Sequence, residues 1–252
     1  MREANPRAAV ARPDLPRRLV AELVGTALLL AAVVGSGIMG DRLAGGNVAV
    51  ALLANTIATG AALVALILTF GPVSGAHLNP AVTLADAWEG GLPWREAGAY
   101  ALAQVTGAFL GVGLGDFMFG EPLFQASRTA REGLPLLVSE FVATFGLLAV
   151  IWACARRRAD VVPFAVAAWI VAAYWFTAST SFANPAVTLA RAATDTFAGI
   201  RPADAPGFVA AQLLGAAAAT ALFSWLIPAL PARAADVVVP QDAAVTTEGR
   251  RA

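Results

Sequence analysis

The segment Asn79-Pro80-Ala81-Val82-Thr83-Leu84-Ala85 recurs letter for letter at Asn184 to Ala190. The match extends well beyond these seven residues. Glu22-Leu23-Val24-Gly25-Thr26 corresponds to Glu140-Phe141-Val142-Ala143-Thr144, and Ala103-Gln104-Val105-Thr106-Gly107-Ala108 to Ala211-Gln212-Leu213-Leu214-Gly215-Ala216. Each half therefore holds, in order, a stretch opening Glu-x-Val-x-Thr, a second apolar stretch, an Asn-Pro-Ala segment and a stretch carrying Gln-x-x-Gly-Ala. If each half crosses a membrane three times, the odd number turns the second copy upside down, giving an inverted repeat.

Composition supports the membrane. The chain is 58% hydrophobic and 13% charged, about half the charge of an average soluble domain. Six apolar runs read as spans: Leu19 to Met39, Val48 to Phe70, Ala97 to Leu114, Leu134 to Ala155, Val161 to about Thr177, and Phe208 to Leu230. Asp41 to Asn47 reads as a turn, and the Gly, Pro and Ser of Gly71 to Leu78 as a helix break. The first run exceeds the roughly 7–15 residues of a signal-peptide core, so it is expected to stay in the protein. All 17 basic residues are Arg and the net charge is zero, which points to no nucleic-acid partner. Cys154 is single and reads as a small packing residue.

The expected organisation is a tail over 1–18, a first repeat over 19–132 with its short helix at 79–89, a second over 133–232 with its short helix at 184–194, and a tail over 233–252. With six crossings, the N-terminal tail, the Arg156 to Arg158 loop and the C-terminal tail share one side. The positive-inside rule makes that side cytoplasmic in a multi-pass inner-membrane protein.

The two short segments carry the functional reading. Asn79 to Glu89 makes about 16 Å of helix, roughly half of a ~30 Å hydrocarbon core. Inversion brings one half-helix in from each side, so the Asn-Pro-Ala tips of Asn79, Pro80 and Ala81 and of Asn184, Pro185 and Ala186 meet near the midplane. Irregular backbone at that depth must be wrapped in protein or line a water-filled cavity. Asn is a favoured N-cap and Pro a favoured first helical residue, and Ala lets the tips touch. With its oxygen used as a cap, each Asn is expected to point its amide NH₂ outward as a donor, inside the positive field of two helix N-termini. Such a centre binds neutral solutes through their oxygens and repels cations.

Two Asn-Pro-Ala motifs in inverted halves, the Ser74-Gly75-Ala76-His77-Leu78-Asn79 context and two intramembrane glutamates resemble the aquaporin (major intrinsic protein) family over about Leu19 to Leu230. The resemblance implies an all-α integral membrane fold of six transmembrane helices plus two re-entrant half-helices. It also implies a homotetramer with one pore per subunit, in contact with the lipid bilayer and with small neutral solutes. The chain departs from the family at the outer constriction. An Arg usually follows the second Asn-Pro-Ala, and here the residue is Val187. Counting along the family pattern puts the other filter positions at Thr59, Ala172 and Ser181. Four small residues without a cation imply a wide filter. The expected activity is passive conduction of water, glycerol-like polyols and other uncharged hydroxylated solutes, with undissociated arsenite, a small neutral triol, as one candidate. The alternatives are a secondary transporter, which also uses inverted repeats, and a closed structural membrane protein.

Arg191 lies four residues beyond Val187 on the same helix face. The preferred reading is an arginine snorkelling to the headgroups; the other is partial replacement of the missing filter charge. Glu22 and Glu140 are read as supports for the re-entrant loops, with proton relay as the competing role. His77 reads as a loop-packing residue more than a pH gate. Trp88, Trp94, Trp152 and Trp225 read as interface anchors. Trp169, Trp175 and Phe182 are assigned to core packing over pore lining. Gly107 and Gly215 are expected to let helices approach closely. The sequence has no metal-ligand cluster, catalytic triad or nucleotide-binding fingerprint, so neither a metal, a cofactor nor an enzymatic activity is expected.

Overall fold

The structure, a computed structural model, describes residues 13–155 and 158–227. Both expected tails fall largely outside these residues, as do Arg156 and Arg157. Eight α-helices follow in order: α1 (Leu15–Leu43), α2 (Val48–Ser74), α3 (Pro80–Glu89), α4 (Trp94–Phe119), α5 (Leu134–Ala155), α6 (Val162–Phe176), α7 (Pro185–Arg191) and α8 (Ala205–Leu226). Six are long and apolar enough to cross a bilayer, α6 together with the single 3₁₀ turn that precedes it. The other two, α3 and α7, are the half-helices.

Several spans outrun their apolar runs because polar residues at their ends find partners. α1 begins at Leu15, where Asp14 caps it by accepting from the Arg17 N–H. Arg18 is buried and pairs with Glu96 at 2.8 Å. At the other end Asp41 and Arg42 stay helical, Arg42 pairing with Glu121 at 2.8 Å. α2 continues through Pro72 to Ser74 and stops only at Gly75, whose φ of 93° is the left-handed value glycine adopts without strain. α7 ends at Arg191, short of the expected Thr194.

Contacts at the two surfaces establish the inversion. On one side the starts of α1 and α4 meet through Arg18 and Glu96, and Ser224 near the end of α8 donates to Glu89 at the end of α3. On the other side Ser127, in the α4–α5 connection, donates its N–H to the Ala192 carbonyl just past α7. Thr194 donates to Asp116 in the last turn of α4 at 2.8 Å. The half-helices thus enter from opposite faces.

Two of the three most extensive helix pairings, α1 with α4 and α5 with α8, are counterparts in the repeat. Both depend on glycine. A Cβ on Gly107 would lie 2.2 Å from the Leu23 carbonyl oxygen, and one on Gly215 would lie 2.4 Å from that of Phe141. Leu23 and Phe141 each directly follow an intramembrane glutamate. Close backbone approach therefore brings Gln104 and Gln212, three residues before their glycines, level with Glu22 and Glu140.

Trp94 and Trp225 are exposed at span ends and Trp88 at the end of the half-helix α3, but Trp152 is not an anchor. It is fully buried and donates its indole N–H to Thr220 Oγ1, because α8 packs over that face of α5. Trp175 is half exposed and Trp169 donates to the Ala143 carbonyl, so neither lines the pore.

Gly107→Val is expected to lower the thermal midpoint in detergent by the equivalent of about 1–3 kcal/mol or more, as for an overpacked core. Gly98→Ala, where an added Cβ meets nothing within 4 Å, is the control. It is expected to be neutral or to stabilise by up to about 1 kcal/mol.

Candidate functional site: a pore between two half-helices

The repeated heptapeptide takes the same local shape twice. Asn79 has φ −158° and ψ 117°, and Asn184 has φ −156° and ψ 115°. Asn79 Oδ1 accepts from Ala81 N at 2.9 Å, and Asn184 Oδ1 accepts from Ala186 N at 3.0 Å and Val187 N at 3.3 Å. Both are N-caps, as the side-chain chemistry requires. Pro80 and Pro185 open their helices, and Ala81 and Ala186 are fully buried between them.

The amide groups depart from the expectation that each simply points into the pore. Asn79 Nδ2 donates to the Ala183 carbonyl at 2.8 Å, and Asn184 Nδ2 donates to the Leu78 carbonyl at 2.7 Å. Each asparagine thus ties its own half-helix to the loop preceding the other. An amide NH₂ carries two protons, so one N–H of each remains for the cavity that both residues line.

The loops before the tips are irregular and strained. Ala76, Leu78, Thr180, Ser181 and Ala183 all have φ between 45° and 61°. Non-glycine residues hold that conformation only where their surroundings impose it. Two fully buried carboxylates do so here. Glu22 accepts from Ser74 Oγ at 2.6 Å, His77 N at 3.0 Å, Leu78 N at 2.7 Å and Gln104 Nε2 at 2.7 Å. Glu140 accepts from Phe182 N and Ala183 N, both at 2.8 Å, and from Gln212 Nε2 at 2.6 Å. Gln104 and Gln212 donate in turn to Thr83 and Thr188, which donate to the Asn79 and Asn184 carbonyls. All three repeated motifs of each half thus join in one hydrogen-bonded cluster beneath the tip.

The cavity runs past both tips and is walled mainly by apolar side chains, with no Asp or Glu among its lining residues. Thr59, Ser181 and Val187 line it. Ala172 does not: it is exposed on the outer face of α6. Ile170 and Tyr174, one turn apart, face the cavity, and residue 172 falls about 200° around the helix from Ile170. The α6 contribution at this level is Tyr174, whose Oη is 3.4 Å from Thr59 Oγ1. Ser181 Oγ is buried without a hydrogen-bond partner among the described residues.

Two further assignments change. Arg191 does not snorkel. It is 3% exposed, donates through Nε to the Ala198 carbonyl, lines the cavity and lies with its guanidinium carbon 3.5 Å from the centre of the Phe182 ring. The 192–200 segment folds back over it and supplies, through the Ala198 carbonyl, an acceptor that headgroups would otherwise provide. Phe182 packs edge-on against Phe208 but also lines the cavity. Arg131, in the α4–α5 connection, carries no local signal in the sequence that marks it as a site residue. Its guanidinium carbon lies 5.0 Å from the same ring, and burial draws its pKa below the usual arginine value. His77 lines the cavity, its Nδ1 3.1 Å from Thr83 Oγ1 and its Nε2 3.6 Å from Asp86.

Two capped half-helices, inserted from opposite faces and meeting tip to tip beside a lined cavity, define a multi-pass membrane channel. The chain belongs to the major intrinsic protein family: a family profile described as Major intrinsic protein matches residues 9–181. It is 57% identical over 219 residues to "Aquaglyceroporin AqpS" of Rhizobium meliloti (strain 1021), covering 86% of this chain and 94% of that protein. It is 35% identical over 131 residues to the "Glycerol uptake facilitator protein" of Streptococcus pneumoniae, covering 46% of this chain and 56% of that one. Its fold matches the X-ray structure of the aquaglyceroporin from Plasmodium falciparum at a TM-score of 0.63 and 18% identity, over 86% of this chain and 99% of that one. The protein is a passive channel for small solutes and not an enzyme.

If the glutamates are structural supports, Glu22→Gln and Glu140→Gln each lower stability by about 3 kcal/mol or more, since each puts an NH₂ against buried donors. Thermal unfolding in detergent measures it. A proton-relay role predicts instead an unchanged midpoint and an altered pH dependence of flux.

Proposed function

We propose that this channel conducts small uncharged hydroxylated solutes, water and glycerol-like polyols among them, through a wide constriction. The observation that carries the reading is Val187, an apolar side chain on the cavity wall at the position directly after the second Asn-Pro-Ala. We assign the filter to Thr59, Tyr174, Ser181 and Val187. Ser181 Oγ, Thr59 Oγ1, the second N–H of each asparagine and the Arg191 guanidinium are polar handles, and most of the remaining wall is apolar enough to pass the carbon skeleton of a polyol. Undissociated arsenite falls in the same solute class. Two relatives are named for glycerol or for aquaglyceroporin activity, which agrees with the polyol reading. Nothing in the cavity favours ion-coupled transport: no carboxylate lines it, and Glu22 and Glu140 are engaged in loop support.

We further infer a homotetramer with one pore per chain in the inner membrane. Exposed apolar side chains such as Leu53 and Ile57 on α2 and Leu102 and Leu110 on α4 offer faces for lipid or neighbouring subunits. Both termini are assigned to the cytoplasmic side, with repeats dividing near residue 132.

Stopped-flow measurements on proteoliposomes with water, glycerol, urea and arsenite test the channel. Flux linear in gradient and independent of ions is expected; saturation would favour a transporter, and rates equal to empty liposomes would mean a closed protein. Val187→Arg is expected to cut glycerol and arsenite flux about tenfold or more while water falls less, because a guanidinium narrows and polarises the constriction. In the same assay Ala172→Leu should behave as wild type, whereas Tyr174→Ala should raise the glycerol-to-water ratio.

A further inference from the structure

We propose that Arg131 and Arg191, gathered on the ring of Phe182, are specificity-determining residues that admit neutral solutes offering acceptor oxygens and turn back cations of the same shape. The inference rests on the channel reading above and adds to it a pair of residues and a discrimination. Val187 and Arg191 share one face of α7, so the cation stands about one turn, 5.4 Å, farther from the half-helix tip than the residue at the constriction. Its companion comes from a different part of the chain, the connection between the two repeats.

The pair is built: Arg191 is buried and Arg131 partly buried. The guanidinium carbons lie 3.5 Å (Arg191) and 5.0 Å (Arg131) from the Phe182 ring centre, within the range of cation–π attraction. Main-chain carbonyls fix both. Arg191 Nε donates to Ala198, and Arg131 donates through Nε to Gly199 at 2.8 Å and through Nη1 to Ser179 at 3.3 Å. Neither arginine forms a side-chain salt bridge with a carboxylate among the described residues. Glu140 acts on both at longer range, but its oxygens already serve Phe182, Ala183 and Gln212. Both terminal nitrogens of Arg191 and Nη2 of Arg131 lack a hydrogen-bond partner among the described residues, and Arg191 lines the cavity.

Arg191 on the cavity wall and Arg131 beside it on the same ring therefore add positive charge at this end of the cavity. The nearby carboxylates are already engaged, Glu140 by the loop and Asp204 by Arg201 and the Arg131 N–H, and charges in a partly dehydrated site act more strongly than in water. A neutral solute oxygen can accept from the unused guanidinium donors. A cation meets two like charges and finds no counter-ion anywhere along the lining.

Urea and guanidinium, planar molecules of nearly equal size that differ in charge, provide the test. Wild-type proteoliposomes are expected to pass urea about 100-fold faster than guanidinium. Arg131→Gln and Arg191→Gln should each lower that ratio about tenfold and the double variant further. Arg131→Lys and Arg191→Lys, which keep the charge, should stay near the wild-type ratio. Variants are compared only when they elute as the wild-type oligomer, and either single glutamine variant suffices if the double does not fold. The proposal is overturned if the wild type passes guanidinium as readily as urea. It is equally overturned if the glutamine variants keep the wild-type ratio, since the half-helix ends at the midplane would then exclude cations alone. Water, glycerol and urea rates all equal to empty liposomes would sink the channel reading itself, and this inference with it.

Discussion

Irregular backbone in the middle of a bilayer has no water to satisfy its N–H groups, and each unsatisfied group costs several kcal/mol. Glu22 and Glu140 answer that constraint. Each is fully buried, and each takes two consecutive backbone N–H groups of a re-entrant loop together with one glutamine side chain. Burying a carboxylate is itself costly, but donors on both oxygens offset much of the lost hydration. The left-handed residues around each tip are held in place by these bonds, and the tips can therefore reach the midplane.

The carboxylates work only because the helices beneath them come close. Gly107 and Gly215 leave room for the carbonyls of Leu23 and Phe141 where a single methyl group would collide. That proximity sets Gln104 and Gln212 against the glutamates and the threonines of the half-helices. Small residues in the spans, charged residues inside the membrane and irregular loops at its centre are thus three parts of one device, present twice because the chain carries it twice. Asn79 and Asn184 then lock the two copies together by donating across to the opposite loop.

Around this rigid centre the cavity wall beyond the α7 tip follows a different logic. Val187 lines it where a cation is usual in the family, and Arg191, one turn farther along α7, lies on Phe182. In the filter proposed above, the positive charge is thus set apart from the residue that directly follows the second Asn-Pro-Ala. The fold permits this because the α4–α5 connection brings Arg131 to Phe182, while the 192–200 segment, through Ala198 and Gly199, and the loop before α7, through Ser179, supply the carbonyls that hold the two arginines in place.

The inverted repeat, the six spans, the asparagine caps and the two glutamates were legible because each rests on local chemistry: apolar length, cap preference, and the cost of an intramembrane charge. The span ends were less so, since Arg18 and Arg42 extend α1 through partners far along the chain. Counting residues pointed to Ala172 for the filter, but the rotation of α6 turns it outward and puts Tyr174 on the cavity wall. Composition made Arg191 a snorkelling residue and Trp152 an anchor, yet each is covered by an element distant in sequence. Arg131 had no local signal at all. The chain by itself determined which segments enter the membrane and how their tips are capped, because those depend on a residue and its near neighbours. Which side chains face the pore was decided only by the tertiary structure, because it depends on helix rotation and on carbonyls supplied from elsewhere in the chain.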